Sequence, residues 1–181
     1  KQGYGAIIGI EHANSAIYGE FDYTRISTDM FLNISPIDDM PVALFARLKT
    51  ISVIGDNIPS QDLPAITNNS PIYLMGQNVL GIHEAIHLRG WNDWRIGDKL
   101  VYGTIEPRIG GNQFVLACYV DFGNAWYSDG EVREMLYTSG YELRINLGLV
   151  VLSYGAAQDF NRWKNNNSPY NYLQMALVNP F

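Results

Sequence analysis

Charge is scarce in this sequence, and its balance leans one way. Only 17% of the 181 residues are charged and the net charge is -6, where an ordinary soluble domain carries roughly 25% charged residues. There is no basic run, so a nucleic-acid partner is not expected. The single cysteine, Cys118, sits in an apolar stretch and allows no internal disulfide, which leaves the redox compartment open. No stretch approaches the roughly 18 apolar residues of a membrane-spanning helix, and helix signals of any kind are nearly absent. The opening Lys1-Gln2-Gly3-Tyr4-Gly5 lacks the basic start and hydrophobic run of a signal peptide. It passes straight into a strand pattern, as though the chain were entered midway. Repeats, linkers and domain boundaries are missing too, so residues 1–181 read as one unit, with the Asn/Ser/Pro-rich stretches 56–71 and 161–169 as loops.

What the chain does have is period-two alternation. In residues 113–122, Phe114, Leu116, Cys118, Val120 and Phe122 fall on one face, and Gln113, Val115, Ala117, Tyr119 and Asp121 on the other. In 99–109, Val101, Gly103, Ile105, Pro107 and Ile109 oppose Tyr102, Thr104, Glu106 and Arg108. In 137–147, Tyr137, Tyr141, Leu143, Ile145 and Leu147 oppose Thr138, Gly140, Glu142, Arg144 and Asn146. Residues 149–157 and the last stretch, where Leu173, Met175 and Leu177 alternate with Gln174 and Ala176, continue the pattern. With 4–12, 16–26, 29–36 and 41–53, the expectation is an all-β, antiparallel meander of about nine strands, with one long loop over about 55–98.

Alternation alone fits two architectures. A soluble sandwich or barrel turns its apolar face inward, whereas a transmembrane barrel turns it to lipid and keeps polar groups in the lumen. Large charged groups in mid-strand (Glu20, Asp22, Glu106, Arg108, Asp121, Glu142, Arg144), Tyr and Trp near many strand ends, and a terminal Phe181 favour the transmembrane barrel.

In that frame "LRGW" (88–91), "YGTIEPR" (102–108), "YVDFGNAW" (119–126), "SGYELR" (139–144), "VLSYGAAQ" (151–158) and a last strand ending in Phe form an ordered set. The set resembles the C-terminal half of the BamA-like outer-membrane family, the bacterial surface-antigen barrels that fold, insert or translocate proteins. The resemblance covers nearly the whole chain, with the specific motifs confined to 88–181. It implies an up-and-down transmembrane β-barrel of sixteen strands, of which this chain supplies the C-terminal nine. It also implies a Gram-negative outer-membrane location and a non-enzymatic role in outer-membrane protein assembly, insertion or translocation, without a cofactor. Outer-membrane lipids, the remaining barrel strands (from an upstream segment or a partner chain) and client outer-membrane proteins would be its partners. The family's soluble N-terminal repeats are not in this sequence. A passive barrel that anchors or exports a fused domain is the alternative role, and a soluble lipocalin-like binding barrel is another.

Residues 83–87, His83-Glu84-Ala85-Ile86-His87, also spell the H-E-x-x-H pattern of a zinc peptidase. That chemistry needs a helix to bring both His to one face. Here the helix would run through Gly81 and break at Gly90, with Asp93 or Glu106 as the only third ligand in reach. The pattern is read as part of a lumen-facing loop. Arg89 has a better use: folded into the lumen, its guanidinium needs carboxylate partners, and Glu106 and Asp121 stand on the polar faces of the two following strands. Gly90 would allow a tight turn, Trp91 would pack against the wall, and Tyr102 and Tyr119 would flank the cation or simply line the wall. Glu142 and Arg144 are expected as further lumen lining. Tyr172, Leu173, Met175, Leu177 and Phe181 would form an assembly signal on the last strand, interrupted by Pro180. With no helix or third ligand beside His83 and His87, purified protein is expected to hold no stoichiometric zinc and cleave no peptide. One tightly bound zinc per chain by elemental analysis, lost on changing either His, would overturn this.

Overall fold

A computed structural model describes residues 2–14, 20–36, 40–67, 73–74, 77–78, 85–91, 93–148, 150–160 and 169–177. Eight long strands build one antiparallel sheet: β1 (Gly3–Ala13), β2 (Asp22–Ile34), β3 (Val42–Asn57), β9 (Lys99–Gly110), β10 (Phe114–Trp126), β11 (Leu136–Asn146), β12 (Val150–Asp159) and β13 (Tyr170–Leu177). They lie in that order, each paired to the next, with β1 and β13 at the two edges among the described residues. Between β3 and β9 come a 3-10 turn, η1 (Ser60–Asp62), and five short strands: β4 (Ala65–Thr67), β5 (Tyr73–Leu74), β6 (Gln77–Asn78), β7 (Ala85–His87) and β8 (Arg95–Ile96). β4 pairs parallel to β7 and antiparallel to β8, and β5 pairs with β6.

The main sheet has eight strands rather than the expected nine, because the described parts of the expected strands 16–26 and 29–36 meet in the single strand β2, Asp22–Ile34. The polar Ser27-Thr28-Asp29 that reads as a break is accommodated without a turn. The Thr28 hydroxyl bonds that of Thr50 at 2.8 Å, and Asp29 takes a forked bond from Arg47, at 2.8 Å from Nε and 2.5 Å from Nη2. Glu20 and Asp22, expected in mid-strand, are exposed and sit just before and at the start of β2. The stretch 56–71, expected as plain loop, contains η1 and β4.

The period-two pattern divides the sheet into two unlike faces. One is bare: Ile8, Ile10, Met30, Ile54, Ile105, Phe114, Leu116, Val120, Leu143, Leu173 and Met175 are all exposed on it. The other is covered in part by the segment between β3 and β9, while Ile7 and Phe31 of β1 and β2 stay exposed on it. Ile66, Ile86, Leu88 and Trp91 of that segment pack on Ile51, Val53, Leu100, Tyr102, Ala125 and Leu136 of the sheet. This core lies toward the end of the sheet where β3 stops and β9 starts.

Polar tethers fix the same segment. The Tyr23 hydroxyl donates to Asp62 Oδ2 at 2.7 Å, and Arg95 Nη1 donates to Asn124 Oδ1 at 2.9 Å. Leu88 is fully buried in the core. Leu88→Ala removes buried methyl groups from a site hemmed in by strands and should cost about 2–5 kcal/mol. A clear fall in the unfolding midpoint of the purified protein would check it, and an unchanged midpoint would show that the segment is not part of the cooperative fold.

Candidate functional site

The site begins with a turn. Trp91 N–H donates to the Leu88 carbonyl at 3.1 Å, closing Leu88-Arg89-Gly90-Trp91, and Gly90 has φ of 82°. That is the positive φ a type II turn asks of its third residue. A side chain at Gly90 would also collide with Ala157, since a Cβ placed there lies 2.6 Å from the Ala157 Cβ. The turn therefore presses its backbone onto β12 and aims Arg89 at the covered face.

Every donor of the Arg89 guanidinium is matched. Nε and Nη2 fork onto Asp121 Oδ2 and Oδ1 at 2.7 and 2.6 Å, and Nη2 also reaches Thr104 Oγ1 at 3.0 Å. Nη1 donates to Glu106 Oε2 at 2.8 Å and to Glu142 Oε2 at 3.3 Å. A guanidinium has five N–H groups, and here each has an acceptor. The ring of Tyr119 lies beneath, 3.4 Å from the Arg89 Cζ to its centroid, adding a cation–π contact. Burial alone would lower the Arg89 pKa, but the hydrogen bonds and charge of Asp121 outweigh it and hold the group cationic, above its usual value.

The register explains why these residues meet. Asp121 stands opposite Thr104 on β9 and Thr138 on β11, and Ala117 opposite Glu142, so the acceptors occupy one face of three neighbouring strands. Two more arginines complete the set. Arg108 Nε donates to Glu106 Oε1 at 2.5 Å. Arg144 forks onto Glu106, with Nη1 at 2.7 Å from Oε1 and Nη2 at 2.8 Å from Oε2, and donates from Nε to Glu142 Oε1 at 2.6 Å. Three cations face three anions, so the cluster is neutral, and every carboxylate oxygen in it accepts at least one bond. Glu106, Asp121 and Glu142 are all buried.

The structure thus brings Arg89, Gly90, Glu106, Asp121, Tyr119, Glu142 and Arg144 together. Glu142 and Arg144, expected only as wall lining, belong to the cluster, while Thr104 and Arg108 are partners that sequence reasoning did not assign. Their signal was present, as same-parity polar residues on 99–109, but it needs the cross-strand register to be usable. Tyr102 stands apart from the guanidinium contacts and packs in the apolar core. Trp91 packs against that same core, with Arg95 5.3 Å from its ring centroid.

Tyr172 does not share a face with Leu173 and Met175. It turns inward, buried, and donates its hydroxyl to Glu142 Oε2 at 2.8 Å. That leaves Leu173 and Met175 on the bare face, while the side chain of Leu177 and all of Phe181 lie outside the described residues. His83 and Glu84 also lie outside them. His87 is in β7, a strand rather than the helix that a one-face His pair needs, and no cluster of three metal-ligating side chains occurs among the described residues.

Removing the Arg89 side chain would leave three buried carboxylates short of a cation. Breaking such a pair from one side costs on the order of 3–5 kcal/mol, so Arg89→Ala should unseat the loop and lower the unfolding midpoint sharply. Arg89→Lys should rescue only in part, because a point charge cannot reproduce the fork, and Asp121→Asn should fall between. Equal stability of Arg89→Ala and the parent would sink the account. No protein-family model matches the chain, and no curated protein matches it.

Proposed function

We propose that the chain is the C-terminal part of a transmembrane β-barrel of the BamA-like insertase or translocase type, working in a Gram-negative outer membrane. The observation that carries the reading is the inverted placement of polar and apolar groups. The largest buried charge cluster sits inside, under a folded-in loop, while large apolar side chains stand bare across the whole opposite face. A water-soluble monomer rarely leaves so extensive an apolar surface uncovered, whereas a barrel wall in lipid requires one.

Dimensions and connections support it. The apolar face of β10 runs from Phe114 to Phe122, roughly 27 Å along the strand at ~3.4 Å per residue. With the usual strand tilt that is on the order of 20 Å, the scale of the ~25 Å apolar band of such barrels. Above this band the same register carries Asn124, whose amide donates to the Arg133 carbonyl and whose oxygen accepts from Arg95. On the bare face of β2 and β3, the Thr28 and Thr50 hydroxyls satisfy each other, as lipid demands. The connections 14–21, 58–98, 127–135 and 160–169 join strands at one end of the sheet, and the shorter 35–41, 111–113 and 147–149 join them at the other. Outer-membrane barrels have this asymmetry, with long loops outside and short turns toward the periplasm.

The insertase role rests on the resemblance of the Arg89-Gly90 loop tip and its carboxylates, and on the edges β1 and β13. An unpaired strand edge in lipid leaves costly backbone groups that further barrel strands, or a client strand, would satisfy. Cysteines placed at 116 and 120 in the full-length protein in lipid should react with lipid-soluble probes, and cysteines at 106 and 121 should not. The reverse labelling would defeat the membrane orientation. Liposomes carrying the protein should speed the folding of an unfolded outer-membrane barrel client. Correct labelling without any acceleration would leave the passive anchor as the role.

A further inference from the structure

The contacts of β13 are uneven. Of its described side chains, Tyr170, Asn171, Leu173 and Met175 are exposed and only Tyr172 is buried. Beyond its ladder to β12, the only inward attachment of this edge strand among the described side chains is Tyr172. That side chain ends in the charge cluster. Glu142 Oε2 accepts both from Tyr172 and from Arg89, and the Tyr172 oxygen lies 3.1 Å from the Tyr119 hydroxyl. Tyr172 has one proton and gives it to the carboxylate, so Tyr119 must donate to Tyr172. The ring of Tyr119 is the one stacked under Arg89.

Two routes thus join the loop tip to the edge strand, one through the Glu142 carboxylate and one through Tyr119. A third contact is direct, the His87 ring meeting the Tyr172 ring edge-on at 6.3 Å between centroids. The path exists because two positions beneath it lack side chains. A Cβ at Gly155 would lie 2.7 Å from Tyr172 Cζ, and one at Gly140 2.6 Å from the Tyr119 oxygen.

We propose that Tyr172 is a positioning residue that couples the seating of the Arg89 loop tip to the pairing of the edge strand β13 with β12. A seated tip holds Tyr172 against Glu142 and Tyr119 and keeps β13 in register. A released tip frees this inward anchor and loosens the strand edge at which a client strand would be templated. The functional meaning rests on the insertase reading above, whereas the coupling itself is intramolecular.

Hydrogen exchange of the full-length protein in detergent or lipid reads that coupling. Tyr172→Phe keeps the ring and its contact with His87 but loses the hydroxyl bonded to a charged group. Amides of 170–177 should then exchange roughly tenfold or more faster, with those of β2 and β3 unchanged. Arg89→Lys should accelerate the same amides in the parent and add nothing in the Tyr172→Phe background, the non-additivity expected of residues in one network. Should Arg89→Lys fail to assemble, Tyr119→Phe takes its place in the cycle, since it removes the hydroxyl link and leaves the ring under the guanidinium. Equal acceleration in both backgrounds, or none in either, overturns the coupling. Client folding on liposomes is scored separately. A parent that gives no acceleration defeats the insertase reading, while the exchange data still decide the role of Tyr172.

Discussion

A buried guanidinium is tolerable only when all of its donors are answered, and that demand at Arg89 organises this molecule. Five N–H groups require acceptors from several directions at once, and no single strand can supply them. Here β9 gives Thr104 and Glu106, β10 gives Asp121, and β11 gives Glu142. The registers between these strands and the depth of the loop are therefore mutually fixed: a one-residue slip would carry every acceptor to the opposite face. The excess negative charge gathered for Arg89 is balanced by Arg108 and Arg144, which also bond Glu106 and Glu142.

Such a cluster is a weak source of net stability, because desolvation offsets much of the Coulomb attraction. Its strength is in specifying geometry. The apolar contacts of Leu88, Ile66 and Trp91 would hold the segment against the sheet in many neighbouring positions, since hydrophobic burial is not directional. The forked bonds to Asp121 select one of them. Burial holds the loop in place and the charges decide where it sits, a division in which each term does what the other cannot.

Much of this was legible in the sequence. Period-two alternation placed Glu106, Asp121 and Glu142 on one face and Leu116, Val120 and Leu143 on the other, and the faces are divided that way. The pairing of Arg89 with Glu106 and Asp121 could be argued from the cost of an unpaired charge alone. Arg144 could not be tied to Glu106, because whether a polar residue meets a neighbour two strands away depends on register and stagger rather than local pattern; Arg108 meets Glu106 two residues along its own strand, a contact that alternation permits without singling out. The break expected between 26 and 29 failed for a related reason. Ser, Thr and Asp are turn formers when nothing else engages them, and here Thr50 and Arg47 on β3 engage them across the strand pair. The small sheet of β7, β4 and β8 was illegible, since two- and three-residue strands show no periodicity.

The position of Tyr172 shows how far a single parity assignment reaches. Counted with Leu173 and Met175 it would be one more apolar residue on the bare face, and β13 would then have no buried side chain among those described. Its side chain lies on the opposite face, as the alternation of the strand requires, and its partner Gly155 has no side chain to obstruct the ring. Four of the five described side chains of this edge are exposed, and an edge with little buried surface to re-expose is cheaper to open than one packed along its length. The same tyrosine ends on a carboxylate shared with Arg89. An edge strand of the sheet is thereby wired to its most demanding electrostatic centre, and a change at the loop tip has a short, bonded path to the edge.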